Sequence, residues 1–177
     1  MYSESSGNDG IDANGNCYIK GGLVYAIGTG GVEKSIDANT EEQKKLYITG
    51  GTIIAVGDLE GGSSITGGTC KYTTSWNATS WYALYNGDTL VAAFKTPTKS
   101  SSGGGGWPGG GPGGGGNNSQ KLIVYTSSAP TLKSGITVSE GTELFDGMAN
   151  INGTIDGGSS VSLSNYTPSS GGGPGGW

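Results

Sequence analysis

Aspartate recurs at one position of a phrase that the chain contains twice. The sequence I-D-A-N occupies residues 11–14 and again residues 36–39, so Asp12 and Asp37 hold equivalent positions. Because they alternate with inward-facing apolar residues, we expect them to face solvent on neighbouring strands, about 4.8 Å apart. Carboxylates at that spacing repel each other unless a cation bridges them, and Ca²⁺ accepts irregular sets of oxygen ligands. The predicted calcium ligands, two of them from the preceding loops, are Asp9, Asp12, Glu33 and Asp37.

A structural role is the alternative for the repeated aspartates. Aspartate side chains also accept hydrogen bonds from the N–H groups of turns, with no metal involved. Neither copy has the ligand spacing of an EF-hand loop or of the nonapeptide calcium repeat. The sequence therefore leaves both interpretations of Asp12 and Asp37 open.

A second recurring position carries tyrosine. The pattern Y-I-x-G-G at residues 18–22 and 47–51 places Tyr18 beside Tyr47 on an outward face. Sugar rings pack their C–H faces on aromatic side chains, and a nearby lysine pairs with the carboxylate of an acidic sugar. The predicted carbohydrate-binding residues, with two tryptophans extending the surface, are Tyr18, Tyr47, Lys20, Trp76 and Trp81. Alternatively, the tyrosines stabilise the sheet as cross-strand neighbours and Trp81 packs a hairpin against the repeats.

The composition argues against several classes of function. The 177 residues include 14 acidic residues, nine lysines, no arginine and no histidine, for a net charge of −5. Binding to nucleic acid needs clustered cationic side chains, so we expect no nucleic-acid partner. We also expect no enzymatic activity, because histidine is missing and the acidic residues follow the repeat instead of flanking a cleft. No apolar run reaches the length of a membrane span.

The residues between these positions predict the strands that hold them. Short alternating runs end at paired glycines, and a shortened third copy follows at residues 65–70 without an I-D-A-N arm. Self-similar units of this kind are typical of β-solenoids, in which each unit stacks on the one before. Cys17 and Cys70 fall at inward positions, equivalent to Leu46 and Ile53. The cysteines are predicted to be buried free thiols or, alternatively, to form a disulfide.

The remainder of the chain predicts an antiparallel β segment. The outward face of the second strand in each repeat is apolar at residues 23–27 and 52–56, so we expect later strands to cover it. Asn86-Gly87-Asp88 between two apolar runs predicts a β-hairpin. The predicted divisions are solenoid rungs at residues 1–70, the antiparallel segment at 71–166 with a glycine-rich loop at 100–119, and a flexible glycine-rich tail at 167–177.

The string G-N-D-G-I-D-A-N-G at residues 7–15, followed by Y-I-x-G-G-x-V-x-A-x-G, resembles the closing rungs of a bacterial protein family. That family comprises the carbohydrate-binding right-handed parallel β-helix proteins. The resemblance implies an all-β fold, with the last rungs of a right-handed parallel β-helix followed by an antiparallel closing segment. It also implies an extracellular or cell-surface protein that binds calcium and an acidic, pectin-like polysaccharide.

Members of that family carry further rungs before this point. We therefore expect the chain to be a C-terminal fragment, or the product of a late start codon, whose partners include the upstream β-helix rungs of a longer precursor. The alternative function is the structural end of a surface adhesin or stalk, without glycan binding.

Overall fold

The computed structural model of the protein describes residues 1–6, 9–29, 34–98 and 121–168, which form an all-β fold. The strands are β1 (Tyr2–Ser6), β2 (Cys17–Ile19), β3 (Leu23–Thr29), β4 (Lys34–Ile36), β5 (Leu46–Ile48), β6 (Thr52–Val56), β7 (Asp58–Leu59), β8 (Ser64–Ile65), β9 (Thr69–Thr73), β10 (Trp81–Asn86), β11 (Thr89–Lys95), β12 (Leu122–Thr126), β13 (Pro130–Ser139), β14 (Thr142–Leu144), β15 (Ala149–Ile151), β16 (Thr154–Ser160) and β17 (Ser164–Asn165). The predicted glycine-rich loop lies outside the described residues, as does the tail beyond residue 168. None of the described residues form an apolar helix of membrane-spanning length.

Three parallel ladders occupy the N-terminal part of the chain. One contains β1, β3 and β6, the second β2, β5 and β8, and the third β4 and β7. The predicted register is confirmed, because Tyr18 lies opposite Tyr47 and Val24 lies opposite Ile53. Inward residues of all three ladders share one core, in which each fully buried aliphatic side chain contributes about 1.5–3 kcal/mol. Its buried members include Ile19, Val24, Ile36, Leu46, Ile48, Ile53 and Leu59.

Paired glycines turn the chain between the second ladder and the first. Gly51 has a φ of +89°, a conformation that side chains rarely adopt, and a Cβ there would lie 2.7 Å from the carbonyl oxygen of Gly22. The corner of one repeat thus stacks on the corner of the next with no room for a side chain. This close approach explains why the paired glycines recur with the strands.

The first sheet ends differently from the prediction. β8 stacks on β5 as expected, but β9 does not stack on β6, because β12 inserts between them and pairs antiparallel with both. Cys70 is consequently paired with Tyr125 of β12 and does not stack on Ile53 of β6. All five residues of β12 are buried, whereas β9 includes half-exposed polar residues. β12 therefore suits a central position and β9 a position nearer the edge.

A second sheet covers the outward face of the first, as predicted. Its strand order is β14-β15-β11-β10-β13-β16, and the predicted hairpin is the antiparallel pair β10–β11. Between the sheets lies a second core, and the hydroxyl of Tyr25 donates a hydrogen bond to the carbonyl oxygen of Lys95 at 2.6 Å. Buried members of this second core include Tyr25, Ile27, Ile54, Val56, Tyr82, Leu84, Phe94 and Val124.

The segment boundary predicted at residue 70 does not separate the two sheets. β12 and β17 come from the later segment, yet both pair with strands of the first sheet. The link from β16 to β17 carries the chain from the second sheet back to the first. The two segments are therefore joined through shared strands as well as through the core between the sheets.

Both cysteines are free thiols, so the disulfide alternative is wrong for this structure. Cys70 is buried, and this burial raises the pKa of its thiol to about 12. Cys17 is half-buried, and burial together with the nearby charge of Asp37 raises its pKa. Because the thiolate is the reactive form, both side chains behave as small apolar groups.

Candidate functional site

Three acidic side chains stack on successive turns of the third ladder. Ile11 forms a bridge with Ile36, and Ile36 pairs with Leu59, so the next residue of each turn follows the same register. The backbone N–H of Asp37 donates to the carbonyl oxygen of Ile11 at 2.7 Å, and that of Glu60 donates to Ile36 at 3.0 Å. The resulting column of acidic residues, called the carboxylate column below, consists of Asp12, Asp37 and Glu60.

Glu60 was missed by the sequence interpretation, which treated the third copy as lacking this arm. The arm is present in shortened form as Leu59-Glu60, because β7 follows β6 after a single glycine. The sequence does contain a signal for it. A-x-G at residues 26–28 precedes the pair Ile36-Asp37, and A-x-G at residues 55–57 precedes Leu59-Glu60. The loop between the two parts differs in length, which hides the equivalence.

Three of the four predicted calcium ligands lie together. Carboxylate oxygens of Asp9, Asp12 and Asp37 are within 4.8 Å of one another, with Asp12 exposed and the other two half-buried. Asp9 also accepts a hydrogen bond from the backbone N–H of Lys34 at 2.5 Å, which fixes it beside the column. The fourth predicted ligand, Glu33, lies outside the described residues. The donor set of three carboxylates fits a hard divalent cation such as Ca²⁺.

Asp37 is the member of the carboxylate column whose pKa is raised. Burial, a hydrogen bond with Glu60 and the charges of Glu60 and Asp9 raise the pKa of its carboxyl to about 8. Glu60 is only 8% exposed, and its Oε1 accepts hydrogen bonds from Gly61 N at 2.6 Å and from Thr40 Oγ1 at 3.2 Å. A proton on Asp37 therefore relieves the repulsion at neutral pH, and a cation bound among the carboxylates would relieve it at higher pH.

This arrangement predicts how the cation-free protein responds to pH. Between pH 4 and pH 8 the folded state holds a proton on Asp37 that the unfolded state has lost, since the ordinary pKa is 3.8. Stability should therefore fall as pH rises through that range and level off above it. Asp37→Asn should flatten this slope and raise the Tm at pH 8.5 by about 2–4 °C, measured by thermal unfolding in EDTA.

Asp88→Asn serves as the control for that measurement, because Asp88 lies in the exposed turn of the β10–β11 hairpin. Asp88→Asn should show the same dependence of stability on pH as the parent protein. Equal slopes for Asp37→Asn and the parent protein would contradict the assignment of a raised pKa to Asp37.

The tyrosine pair is present and faces solvent as predicted. The rings of Tyr18 and Tyr47 stack with centroids 4.9 Å apart and planes 8° from parallel. Ring planes in contact at that centroid separation are offset sideways, so the rings overlap only partly. Tyr18 is 56% exposed and is the outer ring of the pair, since β2 lies at the edge of its sheet. The Lys20 ammonium lies 5.5 Å from the centroid of the Tyr18 ring.

The two predicted tryptophans do not extend this surface, and the structure corrects both expectations. Trp76 is only 3% exposed and fills the core between the two sheets, where the chain crosses from β9 to β10. Trp81 is half-buried on the far face of the second sheet and packs with the cluster around Ala83, Ala93 and Ile136. The alternative role for Trp81 is wrong as well, because its indole faces away from the ladders.

No protein-family model matches the sequence, and no curated protein or solved structure matches it. What this site could bind must therefore be inferred from its geometry. One surface offers an exposed aromatic face beside a lysine ammonium, which suits a ring that carries a carboxylate. The other offers three close carboxylates, which suit a hard cation.

Proposed function

We propose that the protein is a non-catalytic carbohydrate-binding domain for an acidic, pectin-like polysaccharide. The observation that carries this proposal is the exposed stack of Tyr18 and Tyr47 with the Lys20 ammonium beside it. A sugar ring packs on the free face of Tyr18, and its carboxylate pairs with Lys20. The carboxylates of Asp9, Asp12 and Asp37 hold calcium, which also bridges carboxylates of the polysaccharide.

The proposed scaffold is the end of a right-handed parallel β-helix on an extracellular or cell-surface protein. Three parallel ladders with one shared core support this part of the proposal. β1 and β2 lie at sheet edges, so their outer backbone groups suit the pairing of preceding rungs. The non-catalytic assignment is supported by the carboxylates, which stack along a ladder and do not face each other across a cleft.

Retention on immobilised polygalacturonate in the presence of calcium tests this function. Tyr18→Ala should weaken binding at least about ten-fold, equivalent to about 1.4 kcal/mol, because the mutation removes the exposed ring. A chelator should weaken it further, and fully methyl-esterified pectin should not be retained. Thr49→Ala is the matched control, since Thr49 is exposed beside Tyr47 and carries no ring.

Retention that changes neither with Tyr18→Ala nor with chelator would contradict this mechanism. The second candidate function is the structural end of an adhesin or stalk. It is favoured by the same stacked tyrosines, which stabilise adjoining strands as cross-strand neighbours. That function predicts no retention on the polysaccharide and self-association through the edges of β1 and β2, measured by analytical ultracentrifugation.

A further inference from the structure

An open cleft lies where the chain crosses from the second sheet back to the first. It measures about 230 Å³, roughly the volume of eight molecules of liquid water. Its walls come from β9, from the start of β13 and from the link between β16 and β17. This cleft is built from strands other than β2 and β5, which carry the tyrosine pair.

The lining of the cleft combines two kinds of surface. Leu132 and Leu163 belong to the core between the sheets and form an apolar side. Lys71 contributes a cationic side chain. Thr131 and Lys133 also line the cleft, with their side chains on the far face of the second sheet.

The position of Lys71 is unusual for a lysine. It pairs with Val124, whose side chain is completely buried in the core between the sheets. Paired residues of neighbouring strands project to the same side of a sheet, so the stem of Lys71 continues that apolar layer. An apolar residue would extend the core there, whereas lysine brings a positive charge to its open end.

Lys71 has no carboxylate partner among the described residues. Within those residues the one ion pair joins Lys121 to Asp58, at 2.6 Å. The Lys133 ammonium lies 5.5 Å from the centroid of the Tyr85 ring, on the far face of the second sheet, so Lys71 is the cation of the cleft. In a chain of net charge −5, an unpaired cation beside an apolar wall indicates an anionic ligand with an apolar face.

We propose that this cleft binds a carboxylate carried on a compact ring. The carboxylate pairs with the Lys71 ammonium, and the apolar face of the ring packs on Leu132 and Leu163. Acidic sugars and simple ring carboxylic acids share this chemistry. This site does not depend on the proposed function of the tyrosine pair.

Titration of the intact chain by heteronuclear NMR tests the proposal with four probes. D-Galacturonate and cyclohexanecarboxylate should both shift the backbone amide signals of Lys71, Leu132 and Val161. Acetate lacks the ring and D-galactose lacks the charge, so each should bind at least about five-fold more weakly. Lys71→Gln should weaken galacturonate binding about ten-fold, because it removes a charged hydrogen-bond donor.

Lys45→Gln is the matched control, since Lys45 is an exposed lysine outside the cleft and makes the same change in net charge. Equal galacturonate affinity for Lys71→Gln and Lys45→Gln would overturn the proposal, as would equal binding of acetate and galacturonate. Binding at the cleft is read from the amide signals of Lys71, Leu132 and Val161, and binding at the tyrosine pair from those of Tyr18 and Tyr47, so failure of the polysaccharide-binding proposal would be seen separately.

Discussion

Phe94→Ala should lower the free energy of unfolding by about 3–5 kcal/mol, measured by urea denaturation. Phe94 is completely buried between the two sheets. Its ring meets Tyr25 of the first sheet edge-on at a centroid distance of 5.7 Å, and it stacks on Tyr82 of the second sheet at 5.6 Å. Alanine would leave a cavity at this junction, and the surrounding strands are too constrained by their pairing to close it.

Leu90→Ala is the control within the same strand, because Leu90 is half-buried on the opposite face of the second sheet. It should cost about 1–1.5 kcal/mol, since less apolar surface is lost from a partly exposed site. A cost for Phe94→Ala no larger than for Leu90→Ala would show that the two sheets do not stabilise each other. Coincident transitions by tryptophan fluorescence and circular dichroism would show that the sheets unfold together.

Calcium should raise the Tm of the protein by about 5–10 °C when its concentration is 100 times the dissociation constant. At that excess the ligand adds about 2.7 kcal/mol to the free energy of unfolding. Asp12→Asn should abolish the rise, because it removes one of the three clustered carboxylates from an exposed position. Calorimetric titration and thermal unfolding with and without calcium would measure both effects.

The calcium affinity measured in that titration should decrease as the pH is lowered. Because the pKa of Asp37 is raised to about 8, calcium must displace a proton at lower pH, so its affinity should fall between pH 8 and pH 6. Asp88→Asn, outside the cluster, should behave as the parent protein. A calcium effect that is absent at every pH, or unchanged in Asp12→Asn, would favour the structural role of the aspartates.

The parallel ladders could be predicted because their signals are local. Alternating residues in Cys17–Ile19 and Leu46–Ile48 fix which side chains face inward, and the glycine pairs mark each corner. The position of β12 could not be predicted in this way. It depends on whether β9 or β12 pairs better with the open edge of β6, and β12 lies far along the chain beyond a glycine-rich segment.

The residues of the candidate site that lie in the repeats could be predicted from the sequence, as the parallel ladders could. Asp12, Asp37, Tyr18 and Tyr47 occupy repeated positions, so the register alone brings them together. Trp76 belongs to no repeat, and its burial depends on the path of the link between β9 and β10. The raised pKa of Asp37 depends on Glu60, whose equivalence is hidden by a shorter loop.

The insertion of β12 has a consequence for the length of the molecule. Because it runs against β6 and is itself paired on its other side with β9, that end of the first sheet offers no parallel edge to extend. The opposite corner at Gly22 and Gly51 repeats in the same register. A second copy of the segment 23–51, inserted after Gly51, would meet the same neighbours at both junctions. Such a duplication would widen the first sheet by one strand, about 4.8 Å, and would leave the pairing of β12 with β6 and β9 unchanged.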